Sequence, residues 1–201
     1  MRVGILALQG AVAPHQARLK ELGAQGVPVR SPQDLAACQG LILPGGESTT
    51  MLKLMAVYAL HAPLVEFARS HAVWGVCAGA ILMARDVENP AQESLALLDI
   101  TVRRNAYGRQ NESFIAAVTL ELPGQALREQ EAVFIRAPQI TRCGAEVVVL
   151  ARYGGQPAAV QQGRLLASTF HPELAASPAL HAYFLDLCQA QAAAPRQAAR
   201  S

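Results

Sequence analysis

One cysteine in the chain has neighbours that favour a reactive thiol. Cys77 lies in Gly75-Val76-Cys77-Ala78-Gly79, between an apolar run and a run with helical character. A nucleophile at a sharp turn from strand to helix needs small neighbours, because its backbone is strained and must approach both substrate and sheet closely. The helix that follows also favours the thiolate, since a helix N-terminus carries partial positive charge. The pattern therefore indicates a nucleophilic cysteine.

A histidine and a glutamate far downstream supply the groups that such a nucleophile requires. They stand in His171-Pro172-Glu173, where the proline biases His171 towards an extended conformation. In an extended segment residues i and i+2 face the same side, so the carboxylate would accept from one imidazole nitrogen while the other faces Cys77. Alone, this tripeptide is more typical of a surface turn. Together with Cys77 it indicates an acyl-transfer triad.

The other cysteines and histidines carry weaker signals. No two of them have the spacing of metal ligands, so the sequence predicts no metal site. We expect the three other cysteines to be small buried or surface residues and the four other histidines to be structural or exposed. These residues are Cys38, Cys143, Cys188, His15, His61, His71 and His181.

Two adjacent glycines, Gly45 and Gly46, follow a short apolar run and precede Glu47-Ser48-Thr49-Thr50. The segment is consistent with a turn followed by a serine or threonine helix cap. It is equally consistent with backbone amides that point at a developing oxyanion. It is not a P-loop, because the lysine and its spacing are absent.

Arginines occur in two further segments with a possible binding role. Residues 103–110 are the most polar run in the chain, typical either of a solvated loop or of carboxylate recognition by an arginine fork. Arg136, within residues 134–138, is predicted at a strand end, where a structural salt bridge is equally plausible.

The elements that must position these residues alternate through the first half of the chain. Continuous apolar strands separated by helices indicate an open, mostly parallel α/β sheet with helices on both faces. The predicted strands are residues 3–8, 26–29, 41–43 and 73–76, and the predicted helices are 13–22, 49–57, 64–70 and the segment after Cys77.

The second half is richer in short strands with turn signals between them. This pattern predicts an antiparallel excursion at the edge of the main sheet. The strands are residues 100–102, 114–122, 132–135, 147–151 and 158–161, followed by a core strand at 165–170 and a closing helix at 178–189. We expect residues 1–189 to form a single domain and residues 190–201 to be a flexible tail.

The carboxyl ends of parallel strands meet at one edge of a sheet, where ligands bind. Gln9, residues 44–48, Cys77 and His171 each follow a predicted strand. Their convergence on one edge is the strongest internal indication that they form a single site.

Composition excludes several classes of function. The chain has 201 residues, 52% of them hydrophobic, and a net charge of +2, as expected for one globular domain with a large core. Basic residues do not interleave with aromatic ones, so nucleic-acid binding has little support. No run approaches the ~20 apolar residues of a membrane span, and the N-terminal apolar run is too short for a signal peptide. We expect a cytoplasmic location and no membrane association.

Taken together, these segments resemble the triad class of glutamine amidotransferases, through Gly75-Val76-Cys77-Ala78-Gly79 and His171-Pro172-Glu173. Within that class the chain resembles the glutaminase subunits of pyridoxal 5′-phosphate synthase. Four longer motifs carry this closer resemblance: residues 6–12, 43–51, 102–110 and 134–138. The resemblance extends from about residue 3 to residue 187, without a departure at a motif position.

The resemblance implies a role for each motif residue. Cys77 would be the nucleophile, His171 the base and Glu173 its orienting partner. Backbone amides near Gly46 and Ala78 would hold the tetrahedral oxyanion, with Gln9 and the Gly45–Gly46 peptide at the oxyanion side. The residues implied to contact L-glutamine are Gly46, Glu47, Ser48, Arg104, Ile135 and Arg136.

The resemblance also implies a partner. Ammonia would pass to a synthase subunit that makes pyridoxal 5′-phosphate from ribose 5-phosphate and glyceraldehyde 3-phosphate. The only lysines, Lys20 and Lys53, lie outside the catalytic motifs, and no phosphate cradle is evident. We therefore expect the ring chemistry to belong to the partner, and the glutaminase chemistry needs no metal or organic cofactor.

Two other functions remain open at this point. The chain could serve another synthase, such as imidazole glycerol phosphate synthase, although residues 103–110 and 134–138 argue against that. It could also be a catalytically silent binding module of the same fold, which the intact Cys77, His171 and Glu173 make a weaker alternative.

Overall fold

The computed structural model describes residues 1–104 and 113–192, and its first half alternates strands and helices. The elements are β1 (Arg2–Leu6), α1 (Val12–Glu21), β2 (Gln25–Val29), α2 (Pro32–Ala36), β3 (Gly40–Leu43), α3 (Ser48–Val57), α4 (His61–Ser70), β4 (Ala72–Val76) and α5 (Ala78–Met83). Every strand and helix predicted for this half is confirmed within a few residues. The short helix α2 was not predicted, although Ser31 and Asp34 form a capping box around Pro32 at its start.

The second half is mostly strands. They are β5 (Ala84–Glu88), β6 (Leu98–Arg103), β7 (Ser113–Leu120), β8 (Arg128–Ile135), β9 (Gln139–Cys143), β10 (Val148–Tyr153), β11 (Gln156–Gln162) and β12 (Leu165–Ser168). A 3₁₀ turn (Pro172–Leu174) and helix α6 (Ala179–Ala192) close the chain. Strands β5 and β9 were not predicted. Helix α6 continues three residues past the predicted end, and the rest of the predicted tail, 193–201, lies outside the described residues.

The main sheet has seven strands in the order β10-β11-β12-β4-β3-β1-β2. Strands β1, β2, β3, β4 and β12 pair in parallel, whereas β10 and β11 are antiparallel at one edge. The open, mostly parallel sheet with an antiparallel edge is therefore confirmed.

The predicted edge excursion was only partly right. Strands β6, β7 and β8 do not join the main sheet: β5, β6 and β9 form a three-stranded sheet, and β7 and β8 form a two-stranded one. Along β7 and β8, exposed residues alternate with more buried ones, as expected of a sheet with one solvated face. The partners of a strand depend on residues far away in sequence, which local patterns do not reveal.

Successive side chains of the central strands enter two separate hydrophobic cores. Ile42 and Trp74 contribute to the core under α1 and α6, whereas Leu43 and Val73 contribute to the core under α3 and α4. Helices therefore cover both faces of the parallel strands, which is why these strands read as continuous apolar runs.

No single helix among residues 1–104 and 113–192 is long and apolar enough to cross a membrane. Helices α3 and α4 reach that length and composition only together, and they are bent by 103° relative to each other.

Candidate active site

Cys77 lies at a strained turn between β4 and α5. Its backbone has φ +50° and ψ −102°, and a positive φ is uncommon for any residue other than glycine. The turn is held by backbone hydrogen bonds: the Cys77 N–H donates to the Ser168 carbonyl at 2.8 Å, and the Cys77 carbonyl accepts from Ala80 at 3.1 Å. The sharp turn expected from the small neighbours is present.

The two glycines around Cys77 are required by space. A Cβ on Gly75 would lie 2.5 Å from the Gly79 carbonyl oxygen, and a Cβ on Gly79 would overlap the Leu43 carbonyl oxygen. Both obstacles are backbone atoms, which cannot move aside as a flexible side chain can. Glycine at these positions lets the end of β4 and the start of α5 pack directly on each other and on β3.

The Cys77 thiol faces polar backbone groups. Cys77 is buried, and its Sγ donates to the Ile135 carbonyl at 3.8 Å. The first amides of a helix have no acceptor within it, so the Ala78 amide at the start of α5 is available to an anion beside Cys77. Both features fall where the sequence predicted the nucleophile and part of its oxyanion region.

His171 and Glu173 are paired and buried. His171 Nδ1 lies 2.7 Å from Glu173 Oε1, and the His171 N–H donates to the Val133 carbonyl at 2.8 Å. The extended conformation predicted for this segment is wrong: Pro172–Leu174 forms a 3₁₀ turn. The turn brings the two side chains together, with Pro172 in its first position as helix starts favour.

The protonation of this pair is set by its contacts. Burial alone lowers the pKa of His171, but hydrogen bonds with Cys77 and Glu173 outweigh it and raise the pKa to about 10. Burial opposes ionisation of Glu173, yet its hydrogen bond with His171 and its electrostatic interactions with the His15 and His171 rings leave its pKa below the usual range. The structure therefore favours an ionised Glu173 beside a His171 that holds a proton readily.

The turn at Gly45 and Gly46 packs against both His171 and the loop after β1. A Cβ on Gly45 would overlap the His171 ring, and a Cβ on Gly46 would overlap Gln9 Oε1. The Gly45 carbonyl accepts from Ala11 N–H at 3.1 Å. The carbonyl and N–H of a trans peptide point in opposite directions, so the Gly46 N–H points away from Ala11.

Gln9 and Glu47 fix the start of α3. Gln9 Oε1 accepts from the Glu47 N–H at 2.7 Å. The Glu47 carboxylate caps the helix by accepting from the Thr50 N–H at 2.8 Å and from the Thr49 hydroxyl. The serine or threonine cap considered from the sequence is therefore wrong. Burial raises the pKa of Glu47, but hydrogen bonds from Thr49 and Thr50 bring it down to about 2.

Of the remaining residues implied to bind glutamine, Arg104 and Ser48 lie at the start of α3, and Ile135 lies beside the thiol. Arg104 Nη2 is 3.4 Å from Glu47 Oε1, and buried Ser48 donates to Gln92 Oε1 at 2.9 Å. Arg136, directly after Ile135, is exposed and has φ +44°, a strained backbone conformation that often marks functional sites. The rest of the arginine-rich run, residues 105–110, lies outside the described residues.

Sequence reasoning missed several groups around the site. Gln92 was not singled out, and His15 and His181 were considered only as structural or exposed; both are fully buried, and His15 lies behind Glu173. The sequence did contain a signal for His15, because it shares a helix face with Val12, Leu19 and Leu22 by spacing. Among the described residues no group of three or more His, Cys, Asp or Glu side chains could hold a metal ion.

Comparison with known proteins places the chain in a family. The profile of the SNO glutamine amidotransferase family matches residues 5–190. The chain belongs to this family. A member from Solibacter usitatus, named pyridoxal 5′-phosphate synthase subunit PdxT, is 52% identical over 191 residues, covering 92% of this chain and 97% of that protein.

Two further relatives agree with this membership. A protein of the same name from Deinococcus radiodurans is 53% identical over 196 residues, covering 93% of this chain and 97% of its own. A crystal structure of a glutamine amidotransferase matches the fold with a TM-score of 0.86 at 45% identity, covering 93% of this chain and 98% of that chain. The family resemblance and the glutamine amidotransferase fold expected from the sequence are confirmed.

Proposed function

We propose that this chain hydrolyses L-glutamine to L-glutamate and ammonia through a thioester on Cys77. We further propose that the ammonia passes to a synthase subunit that makes pyridoxal 5′-phosphate from ribose 5-phosphate and glyceraldehyde 3-phosphate. The observation that carries the chemistry is the buried pair of His171 and Glu173, joined at 2.7 Å, together with a buried Cys77 at a strained turn whose interaction with His171 raises the pKa of that histidine. The names of relatives about 50% identical over nine-tenths of the chain support the second part.

The first half of the reaction forms the thioester. The Cys77 thiolate attacks the side-chain carboxamide carbon of glutamine, and the carbonyl oxygen becomes a tetrahedral oxyanion. His171 then gives its proton to the nitrogen that leaves as ammonia while the C–N bond breaks. The ionised Glu173 stabilises the charged imidazole and holds its Nδ1, so that the other ring nitrogen serves Cys77.

The second half regenerates the enzyme. His171, now neutral, takes a proton from water, and the resulting hydroxide attacks the thioester carbon. The C–S bond breaks and glutamate leaves. The Cys77 thiolate is restored, and His171 keeps the proton that it took from water, as at the start of the cycle. One glutamine and one water thus give one glutamate and one ammonia, and no redox partner is needed.

The oxyanion would be held by backbone amides. The Ala78 amide is free of helix bonding by position, and the Gly46 N–H points away from Ala11, which already binds the Gly45 carbonyl. Gln9 supports this turn through Glu47. We assign Gly45 and Gln9 a supporting role, because their contacts hold the peptide and do not require contact with the substrate.

Binding of the glutamine α-amino and α-carboxylate groups would fall to the other side of the turn. Glu47 carries the negative charge suited to an ammonium, and Arg104 and Arg136 carry the positive charge suited to a carboxylate. Ser48 stands at the start of α3 beside Glu47, where it donates to Gln92, and the Ile135 carbonyl lies beside the Cys77 thiol. The ion pair between Arg104 and Glu47 keeps both side chains at the site before the substrate arrives.

The partner would supply the ring-forming chemistry. Both lysines of the chain, Lys20 and Lys53, are exposed, on α1 and α3, and neither belongs to a catalytic motif, whereas an imine with a sugar phosphate requires a lysine at a phosphate site. The cytoplasmic location expected from the sequence remains a prediction.

Covalent trapping tests the proposal. A glutamine analogue with an electrophilic chloroketone in place of the carboxamide should label Cys77 alone, as shown by peptide mass spectrometry, and glutamine should protect against labelling. Cys143→Ser, at a half-buried cysteine, is the matched control and should be labelled like the unaltered chain. Labelling of another cysteine, or none in the presence of the synthase, would contradict the assignment.

A further inference from the structure

The carboxylate of Glu173 has a second oxygen that the contact with His171 does not use. Glu173 Oε1 pairs with His171, whereas Oε2 is buried and has no hydrogen-bond partner among the described residues. It lies 3.7 Å from Nε2 of His15, which is buried and equally unpartnered. Two unsatisfied polar atoms that face each other inside a protein are costly unless one donates to the other.

A second buried histidine determines which atom of His15 carries the proton. His15 Nδ1 lies 3.0 Å from His181 Nε2, so one of these two nitrogens must donate. Burial lowers the pKa of His15 to about 4 and that of His181 to about 2, so both rings are neutral at pH 7 and each carries a single N–H.

Only one arrangement of these protons suits the carboxylate. If His15 donated from Nδ1, it would present a lone pair on Nε2 to the negative Glu173. If His181 donates from Nε2, then His15 Nδ1 is the acceptor and the His15 Nε2–H points at Glu173 Oε2. The negative charge of Glu173 therefore selects the second arrangement.

Helix α1 also contacts the backbone around Glu173. Arg18, one turn after His15, donates to the Glu173 carbonyl at 3.3 Å and to the Ala175 carbonyl. Trp74 packs edge-on against both histidine rings, with centroid distances of 6.0 Å to His15 and 4.8 Å to His181. The charged groups that bear on the histidine pair are thus Glu173, His171 and Arg18.

We infer that His15 is a positioning residue for the glutaminase reaction: its Nε2–H holds Glu173 Oε2, so that Oε1 stays aligned on His171, and His181 fixes the required tautomer of His15. At 3.7 Å the atoms are slightly beyond hydrogen-bond distance, and a shift of a few tenths of an ångström closes the bond. The inference rests on the proposed function, since alignment of His171 matters only if it moves protons.

Two amide substitutions separate positioning from packing. His15→Gln can place an N–H close to the position of the imidazole Nε2, whereas His15→Asn carries the same amide but is too short to reach Glu173. We expect His15→Asn to lower kcat by roughly 10-fold or more, the usual scale for a group that orients an active-site side chain. His15→Gln should retain most of the activity, and KM should stay within about twofold in both, because neither change touches the substrate side.

An NMR titration of His171 gives a readout that does not depend on activity. In His15→Asn the loosened carboxylate should support the imidazolium less, so the pKa of His171 should fall relative to the unaltered chain. In His15→Gln it should stay close to the original value. His61→Asn, at an exposed histidine on α4, is the control and should change neither kcat nor the titration.

Two outcomes would overturn the inference: equal kcat in His15→Gln and His15→Asn, whether reduced or not, or an unaltered His171 titration in folded His15→Asn. If His15→Asn did not fold, His181→Leu would replace it. Leucine cannot donate a hydrogen bond to His15 Nδ1, so the tautomer of His15 would no longer be fixed. Failure of the unaltered chain to hydrolyse glutamine would contradict the proposed function instead, and the titration would still report on the contact between His15 and Glu173.

Discussion

The predicted triad and the predicted glutamine-binding residues lie side by side but are held by different kinds of contact. Cys77, His171 and Glu173 are buried, and the backbone on both sides of them is fixed by hydrogen bonds and by close packing at glycines. Glu47 and Arg136 are exposed, and Arg104 is joined to Glu47 by an ion pair at 3.4 Å. We assign the reaction chemistry to the buried triad and substrate recognition to the charged residues beside it.

This difference predicts which kinetic constant each substitution changes. A group on the buried side has one geometry and acts on the reacting atoms, so its loss should lower kcat. A binding residue such as Arg104 or Arg136 interacts with the ends of the substrate in both ground state and transition state, so its loss should raise KM. Substitutions on each side test this division.

Replacement of the nucleophile should have the largest effect. Cys77→Ala should lower glutamate release by ~10⁴-fold or more, because no other group can form the thioester. Circular dichroism and thermal unfolding should show a folded protein, since alanine can occupy a turn whose shape is set by its neighbours. Cys143→Ser, the matched control, should retain full activity. Substantial turnover by Cys77→Ala would overturn the triad assignment.

Within the pair behind the thiol, the histidine should matter more than the glutamate. His171→Ala removes the group that moves protons, whereas Glu173→Gln removes only the group that orients and stabilises it. We expect Glu173→Gln to retain ~10-fold to 10²-fold more kcat than His171→Ala, as in other triads. Equal loss in two folded variants would mean that Glu173 does more than orient His171.

The turn at Cys77 could be predicted from the sequence because the motif that forms it is local. The small residues around Cys77 indicate the turn directly, and Gly79 packs where any side chain would meet β3. The 3₁₀ turn at Pro172–Leu174 was missed because His-Pro-Glu is compatible with both an extended and a turned backbone.

Long-range contacts explain what sequence could not provide. His15 and His181 meet although 166 positions separate them, and β9 pairs with β6 across a gap that includes the β7–β8 hairpin. Glu47 was not considered as a helix cap, because serine and threonine follow it directly and are the usual choice. The first two features depend on contacts between residues that are far apart in sequence. The third was missed because a more common helix cap was available next to Glu47.

The buried histidines predict a distinctive dependence of stability on pH. The pKa of His15 is lowered to about 4, so its unfolded form, with a pKa near 6.5, binds a proton first as the pH falls. The free energy of unfolding is therefore not reduced by His15 above about pH 6.5. It falls by roughly 3 kcal/mol as the pH falls from 6.5 to 4, because the unfolded chain takes up a proton that the folded chain does not. His15→Gln should reduce this acid sensitivity in urea titrations at each pH.

The raised pKa of His171 acts in the opposite direction. Its contribution to stability is complete below about pH 6.5 and is lost as the pH rises towards about 10. The alkaline loss should be absent in His171→Ala but retained in His15→Gln. The assigned pKa shifts would be contradicted if His15→Gln no longer lost stability at high pH but still lost as much stability at low pH as the unaltered chain.

Arginine substitutions should act on binding. Arg104→Ala and Arg136→Ala each remove a guanidinium suited to the substrate carboxylate, a contact typically worth ~2–3 kcal/mol, so KM should rise by roughly tens-fold with a smaller change in kcat. Steady-state kinetics with Arg69→Ala, an exposed arginine of α4 paired with Glu66, provide the control. Unchanged KM in both variants would mean that these arginines do not bind the substrate carboxylate.

The most direct test of the account is glutamate release by the purified chain as the cognate synthase is added. The carbonyl of the Gly45–Gly46 peptide accepts a hydrogen bond from Ala11, worth about 1 kcal/mol, so that this bond adds only a small cost when a partner reorients or locks the oxyanion donor. We predict slow hydrolysis by the isolated chain and a rise of ~10-fold or more at saturating synthase, abolished by Cys77→Ala. Equal rates throughout the titration would contradict an oxyanion site completed by the partner, and no glutamate at any synthase concentration would contradict the glutaminase itself.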